Sequence, residues 1–500
     1  MFLGVDIGTA SSKAVAVAAD GTLVASAIRP HLTTTPHPGW FEHDAEDVWW
    51  SDFRELTHEV LSTVPGHEVT CVGVSGIGPS TLLTDVGGQP LRAAILYGID
   101  TRAEREIEEL TETLGAGRLL EVNGNRLTSQ AVGPKFLWVA RHEPEVWERA
   151  RRWYGASSWL VQRLTGEYVL DHYSASTSDP LYDLGRSDWW ADGWAASAPG
   201  IERPRLAWPG DVVGEVHTAA AEACGIAAGT PVVAGTIDAL AEAHSVGSDG
   251  IGDTMVMYGS TLFLIQTVAR PAVHGGLWAA SGRTPNTNSV AAGMATSGLV
   301  TTWFAEVTGQ SLGDLTAQAA EVPAGSDGLV LLPYFAGERT PLFDPRARGC
   351  WLGLTLGHTR AHLYRSALEG VAYGVRHNLD AMAEAGAPPR RLVAVGGGTR
   401  GNLWTHIVSD VTQLPQDLPT TTIGASYGDA RLAAEAVGVD TRAWNPVAQR
   451  IEPDPSPAGL YDELYAVFRH TYPAIRDEMH RLAAAVTMRG SAPRKRSPHP

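Results

Sequence analysis

The chain has 500 residues, 44% of them apolar and 19% charged, with a formal net charge of −17. This length exceeds what one hydrophobic core serves and predicts two domains, while the apolar share excludes a disordered chain. The negative charge opposes nonspecific binding to nucleic acid or anionic membranes and leaves a small molecule as the expected partner. In chain order, "FLGVDIGTASSKAVAVAADGTLVASA" reads as strand, polar turn, strand, Asp-Gly turn, strand. "EHDAEDVWWSDFRELTHEVLSTV" puts Trp49, Phe53, Leu56 and Val60 on one face, with acids in its first turn, and predicts an amphipathic helix. "VTCVGVSGI" follows as a buried strand, "RAEREIEELTETLG" as a helix closed by Gly115, and "HEPEVWERARR" as a helix opening on Pro144.

In "PVVAGTIDALAEAHSVG" a strand over Pro231–Ala234 ends at Gly235, and Asp238 stands where a helix begins. "DTMVMYGSTLFLIQTVA" repeats the strand, hydroxyl-rich turn, strand pattern of the N-terminus, which suggests a duplicated domain. "AHLYRSALEGVAYGVRHNLDAMAEAG" is a long helix, and "RLVAVGGG" is a strand running into a glycine turn. Strands alternating with helices predict α/β layers. The glycines of "GSDGIG", Gly247 to Gly252, mark a junction between residues 1–247 and 248–485. The Pro-, Ser- and Arg-rich tail, assigned to 486–500, is expected to be disordered. No run of about 18 apolar residues and no charged leader is present, which predicts a cytoplasmic protein without a membrane partner. Cys71, Cys224 and Cys350 are far apart and form no CxxC pair, so they read as small buried hydrophobes. Lysine occurs only at Lys13, Lys135 and Lys495.

Several stretches carry chemistry. In "DIGTASSK" a Gly-Thr turn after a strand can aim successive N–H groups at one anion, with the hydroxyls of Thr9, Ser11 and Ser12 and the ammonium of Lys13 as further donors. Asp6 is suited to hold Mg²⁺ through water. A surface hairpin of turn-favouring residues has the same composition. Asp238 reads most simply as an N-cap, yet its place at the carboxyl edge of the strands also suits a general base. Gly259, Ser260 and Thr261 form a second candidate phosphate turn. The glycines of "VAVGGGTRGNLW" either let a flat ring lie on bare backbone or simply make a tight turn.

In this order and wording the segments resemble the FGGY carbohydrate kinases of the actin-like ATPase superfamily, the xylulose kinases most closely. The resemblance runs from Phe2 to about Arg481. It is carried by "GVDIGTASSKA", "GWFEHDAEDVWW", "PKFLWVARHEPEVW", "DWW", "PVVAGTIDA", "VAVGGGTRGNLW" and the long stretch from "LPYFAGERTP" through "ALEGVAYG". Gly349 to Gly370 matches the family's C-terminal signature at nearly every constrained place. The resemblance implies an α/β fold of two actin-like ATPase (ribonuclease H-like) domains with a central cleft. It also implies ATP- and Mg²⁺-dependent phosphorylation of a primary hydroxyl on a small sugar such as D-xylulose. Another ketose or a polyol (ribulose, a tetritol) is the alternative substrate, and an actin-like ATP-driven conformational protein is the rival from a different class. By position Asp238 matches the catalytic base and Asp6 the metal-associated aspartate. Thr9, Ser12 and Lys13 fall on the first phosphate loop, Gly259, Ser260 and Thr261 on the second, and Gly397, Gly398 and Asn402 on the adenosine pocket. Dimers are frequent among such kinases.

The departures concern the sugar end. "SGIGPS" puts Gly78 and Pro79 where the family has a Met-His pair that touches substrate, which removes an imidazole donor. "YGIDTR" carries one additional residue before Asp100 and Arg102, the other substrate-side positions, and Leu262 replaces a common glycine after the second turn. "GERTP" has a purely structural reading, as a brace of the C-terminal domain.

Overall fold

A computed structural model of the chain describes residues 1–64 and 66–490. Of the tail expected to be disordered, residues 491–500 lie outside the described residues. The chain divides into two units, one holding residues 1–253, 265–290 and 419–446 and the other 254–264, 291–418 and the described residues from 447 onward.

The first unit is built on strands β1 (Phe2–Ile7), β2 (Ser11–Val17), β3 (Leu23–Pro30), β4 (Cys71–Gly76), β5 (Val212–Glu215), β6 (Pro231–Val233) and β7 (Thr236–Ile237). They form one sheet in the order β5-β6-β4-β1-β2-β3, with β7 also paired to β4. β1, β2 and β3 make the antiparallel meander that their turn residues predict, and β4 lies parallel to β1 from Phe2↔Cys71 to Ile7↔Gly76. Both β1 and β4 are buried almost throughout, so they read as apolar runs and not as alternating strands.

Alternation still sorts the side chains of β1. Leu3, Val5 and Ile7 join the core of Trp49, Phe53, Leu56 and Val60 on the predicted helix, whose regular part is Ser51–Leu61. Asp44 caps the turn that opens this helix, its carboxylate accepting the N–H groups of Glu46 and Asp47 at 2.9 Å. Phe2 instead packs with Tyr427, Ala430 and Ala433 of the helix Ala425–Ala436. That helix comes very close to the sheet because Gly4 and Gly73 have no side chain. A Cβ on Gly4 would stand 1.9 Å from Ser426 O, and one on Gly73 would stand 2.1 Å from Asp429 O. The helix Asp238–Ser245 meets the same helix across Gly428, where a Cβ would stand 1.9 Å from Ala241 O. These bare contacts bring residues 425–436, distant in sequence, against the end of β1.

A second sheet, most of whose residues belong to the second unit, has strands β8 (Asp253–Tyr258), β9 (Leu262–Val268), β10 (Asn288–Met294), β11 (Arg391–Val395), β12 (Gln416–Pro419) and β13 (Val447–Ile451), in the order β10-β9-β8-β11-β12-β13. β8 and β9 are the hairpin that the repeated strand-turn-strand pattern predicts. The long helix Arg360–Glu384 is buried along most of its length, and Gly370 meets Leu331 O where a Cβ would stand at 2.5 Å. "GERTP" is a brace, as its structural reading has it. Glu338 accepts the N–H groups of Ala295 and Arg339, both at 2.8 Å, and Thr340 donates to Asn378 Oδ1 on the long helix at 2.8 Å. Cys71 and Cys224 are buried and Cys350 is half-buried. Among the described residues no helix is long and apolar enough to cross a membrane.

Candidate active site

Strand register sets the first part of the site. Lys13 lies opposite Asp6, Ser75 beside Asp6 and Thr236 beside Ser75, one row across β2, β1, β4 and β7. Residues in register share a face of a sheet, so these side chains project together. Ser75 Oγ is 3.0 Å from Asp6 Oδ1 and 2.7 Å from Asp429 Oδ2. One hydroxyl has one proton, so it satisfies a single carboxylate, and the other contact needs a proton on the second carboxyl. Asp429 Oδ1 is buried without a hydrogen-bond partner among the described residues. Lys13 Nζ donates to Ile423 O at 2.6 Å, just before the helix that carries Asp429.

The helix Asp238–Ser245 adds two more acids, Asp238 and, one turn on, Glu242. Asp238 is not the cap: Ile237 holds that position, and Asp238 is already the first helical residue, accepting among the described residues only the N–H of Ala239 at 2.7 Å. Burial pushes Asp238 up to about 8, with the charge of Asp6 adding to it. Burial raises Asp6 to about 6, against the Ser75 hydrogen bond and Lys13. Glu242 is pushed up to about 7 by burial and by Asp6, and Asp429 stands well above the carboxylate range for the same two reasons. This is an acid-rich cluster short of positive charge, with one lightly bonded carboxyl held basic enough to take a proton near neutral pH. Sequence reasoning missed Glu242 and Asp429. The i, i+4 spacing in "DALAE" was a signal for Glu242; no local signal marks Asp429.

The first turn closes with the Gly8 N–H on Ser11 O at 3.1 Å, and Thr9 Oγ1 lies 3.3 Å from Tyr97 Oη. Ser12 departs from its expected part. Alternation along β2 sends it to the face opposite Lys13, where its fully buried hydroxyl donates to Asp52 Oδ2 at 2.6 Å, so it adds no donor beside Lys13. At the positions expected to face the sugar, Gly78 packs on Ile237, where a Cβ would stand 2.5 Å from Cγ1, and Pro79 is buried, so neither side chain offers a donor. Asp100 and Arg102 are brought together and spent on each other, Nη2 to Oδ2 at 2.7 Å, with both side chains fully buried. Arg102 also binds Glu42 at 2.7 Å and lies 4.4 Å from the Trp40 ring centre, while Asp100 accepts the Phe41 N–H at 2.7 Å. Nearby, burial pushes Lys135 down to about 7, opposed by Asp100.

The second unit holds a cavity of about 480 Å³ where the ends of β8 and β11 meet. Gly259, Ser260, Gly397 and Gly398 line it, together with Tyr258, Thr301, Tyr364, Arg400 and Trp404, which sequence reasoning missed. Gly396 and Gly398 let the chain hug Tyr258: a Cβ would stand 2.7 Å from Tyr258 O at Gly396 and 2.8 Å from Tyr258 Cβ at Gly398. At Gly397 the space is open. Thr261 and Asn402 are exposed and outside the lining, Asn402 taking a positive φ of 63° to turn the chain into the helix Leu403–Thr412. The volume, the bare backbone and the few polar groups suit a nucleoside.

Residues 1–244 match the model of the FGGY family of carbohydrate kinases, N-terminal domain, and residues 254–437 match that of its C-terminal domain. A xylulose kinase of Klebsiella pneumoniae is 32% identical over 450 residues, 87% of this chain and 90% of its own. A glycerol kinase of Alkalilimnicola ehrlichii is 30% identical over 457 residues, 88% of this chain and 90% of its own. The crystal structure of xylulose kinase from Rhodospirillum rubrum matches with a TM-score of 0.90 at 33% identity, over 96% of this chain and 99% of that one. The two-domain actin-like fold expected from the motifs is therefore the fold of this protein, and with both family models matched in order the chain belongs to the FGGY family of carbohydrate kinases, phosphotransferases that use ATP.

Proposed function

We propose that the enzyme moves the γ-phosphoryl group of ATP to a primary hydroxyl of a small ketose, xylulose foremost, with Asp238 as general base. One observation carries the base assignment: Asp238 is a half-buried carboxyl that accepts one hydrogen bond among the described residues, and desolvation pushes it up to about 8, the range in which a base works near neutral pH. The substrate choice rests on the xylulose kinases among its relatives. As the hydroxyl oxygen attacks phosphorus, its proton passes to the Asp238 carboxylate, the bond from phosphorus to the bridging oxygen breaks, and ADP leaves. Thr9 and Lys13 of the first turn and Gly259, Ser260 and Thr261 of the second bind phosphates. Gly397, Gly398 and Asn402 border the adenosine. In this reading residues 1–247 handle the sugar and residues 248–485 the nucleoside. The pinned Asp100 and Arg102 hold the segment from Tyr97 as a sugar-side wall.

The residues fit Mg²⁺. The acids offer only hard oxygen donors, and Asp429 Oδ1 has no partner among the described residues. Among the described residues no group of three or more His, Cys, Asp or Glu side chains is placed to grip a metal directly. Asp6 would therefore hold the ion through water, and the bound ion supplies positive charge against the phosphates. A second reading, another ketose or a polyol, is favoured by one feature, the absence of a side-chain donor at Gly78 and Pro79. A screen of ADP release at fixed ATP over xylulose, ribulose, hexuloses, tetritols and glycerol decides between them. The highest kcat/KM is expected for xylulose; a tetritol or glycerol in first place moves the substrate, and no acceptor-stimulated release at all removes the reading.

A further inference from the structure

All three carbonyl oxygens of the turn Gly8, Thr9 and Ala10 are captured by the short segment that follows β3. His31 Nε2 donates to Gly8 O at 3.1 Å, Thr33 Oγ1 to Thr9 O at 2.8 Å, and the His31 backbone N–H to Ala10 O at 3.0 Å. In a planar trans peptide the C=O and the following N–H point in opposite directions. Drawing the Gly8 and Thr9 carbonyls toward this segment therefore turns the N–H groups of Thr9 and Ala10 away from it. Neither N–H has an acceptor among the described residues. Two successive open amides in a turn make an anion-binding nest.

The two side chains are themselves aimed by hydrogen-bond chains that start from the buried Trp49 and Ser12 and whose direction is fixed at both ends. Trp49 Nε1, a donor only, gives its proton to His43 Nδ1 at 3.2 Å. His43 Nε2–H then donates to Thr33 Oγ1 at 3.0 Å, and the Thr33 proton is left for Thr9 O. Burial pushes His43 down to about 4, which keeps it the neutral ring this chain needs. In the second chain Ser12 donates to Asp52 Oδ2 at 2.6 Å, one proton lies between that carboxyl and His31 Nδ1 at 2.7 Å, and His31 Nε2–H reaches Gly8 O. The inward turn of Ser12 thereby gains a purpose.

We infer that His31 and Thr33 are positioning residues that aim the amides of the first turn at the phosphates of the nucleotide. This rests on the kinase reading above. A turn set for phosphate matters to ligands that carry phosphate and not to the nucleoside alone, and this separates positioning from plain support of the fold. Thr33→Val removes one hydroxyl at constant shape, Thr33→Ser keeps it, and His31→Phe keeps a ring without nitrogens. Calorimetric binding of ADP and of adenosine, the KM for ATP and thermal melting are measured for each. Thr33→Val and His31→Phe are expected to weaken ADP binding and raise the KM for ATP about tenfold, with adenosine binding within about twofold of wild type. Thr33→Ser restores both. Folded Thr33→Val that binds ADP as wild type does, or that loses ADP and adenosine alike, overturns the assignment. Should His31→Phe not fold, the Thr33 pair decides. Failure of the kinase reading looks different: wild type itself then binds no ADP.

Discussion

The two turns proposed to bind phosphate each close on a backbone hydrogen bond, Gly8 N–H on Ser11 O and Gly259 N–H on Thr261 O, both at 3.1 Å, yet they are held by different kinds of partner. The first has its carbonyls fixed largely by the side chains of His31 and Thr33. In the second, Gly259 O accepts the N–H of Gly298 at 2.9 Å and Ser260 O those of Ser297 and Leu299 at 3.0 and 3.1 Å, all at the start of the helix Gly298–Thr308. The contrast extends beyond the turns. Beside the first stands a row of acids and a lysine; beside the second, a cavity walled by backbone, threonines and aromatic rings. Chemistry is assigned to side chains that substitution can delete, and nucleoside recognition to a shape that substitution damages mainly by adding atoms.

That difference predicts where mutations bite. The largest effect belongs to the charged side: Asp238→Asn is expected to lower kcat about 10²- to 10⁴-fold while calorimetry still finds sugar and nucleotide bound. Its stability should move the other way. Desolvation and then the charge of Asp6 push the folded carboxyl up from 3.8 to about 8, so the wild-type group favours folding fully below about pH 4 and loses that contribution as pH rises through 8. The variant should therefore melt higher than wild type at pH 8 and not at pH 4. Next comes a backbone lesion in the second turn. Gly298→Ala would put a Cβ 2.7 Å from Gly259 O, and the KM for ATP should rise about tenfold as the turn is pushed aside. Smaller still, Ser260→Ala and Thr261→Ala should each change the KM for ATP by less than about threefold, because amides and not hydroxyls do the holding there. The least effect is on pH dependence. Glu242 is one of the charges that raise Asp238, so Glu242→Gln should move the acid limb of kcat/KM to lower pH.

Much of this was legible in the sequence, for local reasons. Both hairpins follow from strand residues flanking turn residues, and the helix at Ser51–Leu61 follows from the spacing of Trp49, Phe53, Leu56 and Val60. Period-two alternation along β2 already contained the inward turn of Ser12, since Lys13 cannot face the same way. Asp429 was hidden because its place depends on three bare contacts, at Gly4, Gly73 and Gly428, between segments hundreds of residues apart. Asp100 and Arg102 look in sequence like free polar groups, and only the fold reveals that they bind each other and that Arg102 also binds Glu42. The aromatic lining of the second cavity, Tyr258, Tyr364 and Trp404, is likewise assembled from three separate elements.

The most direct test of the central claim is a single-turnover reaction of ATP with xylulose in wild type and in Asp238→Asn, sugar phosphate and ADP being measured together. Wild type should form the two products one to one, and the variant should bind both substrates yet form at most about 1% as much in the same time. A variant that matches wild type, or a wild type that releases ADP without phosphorylating the sugar, would contradict it.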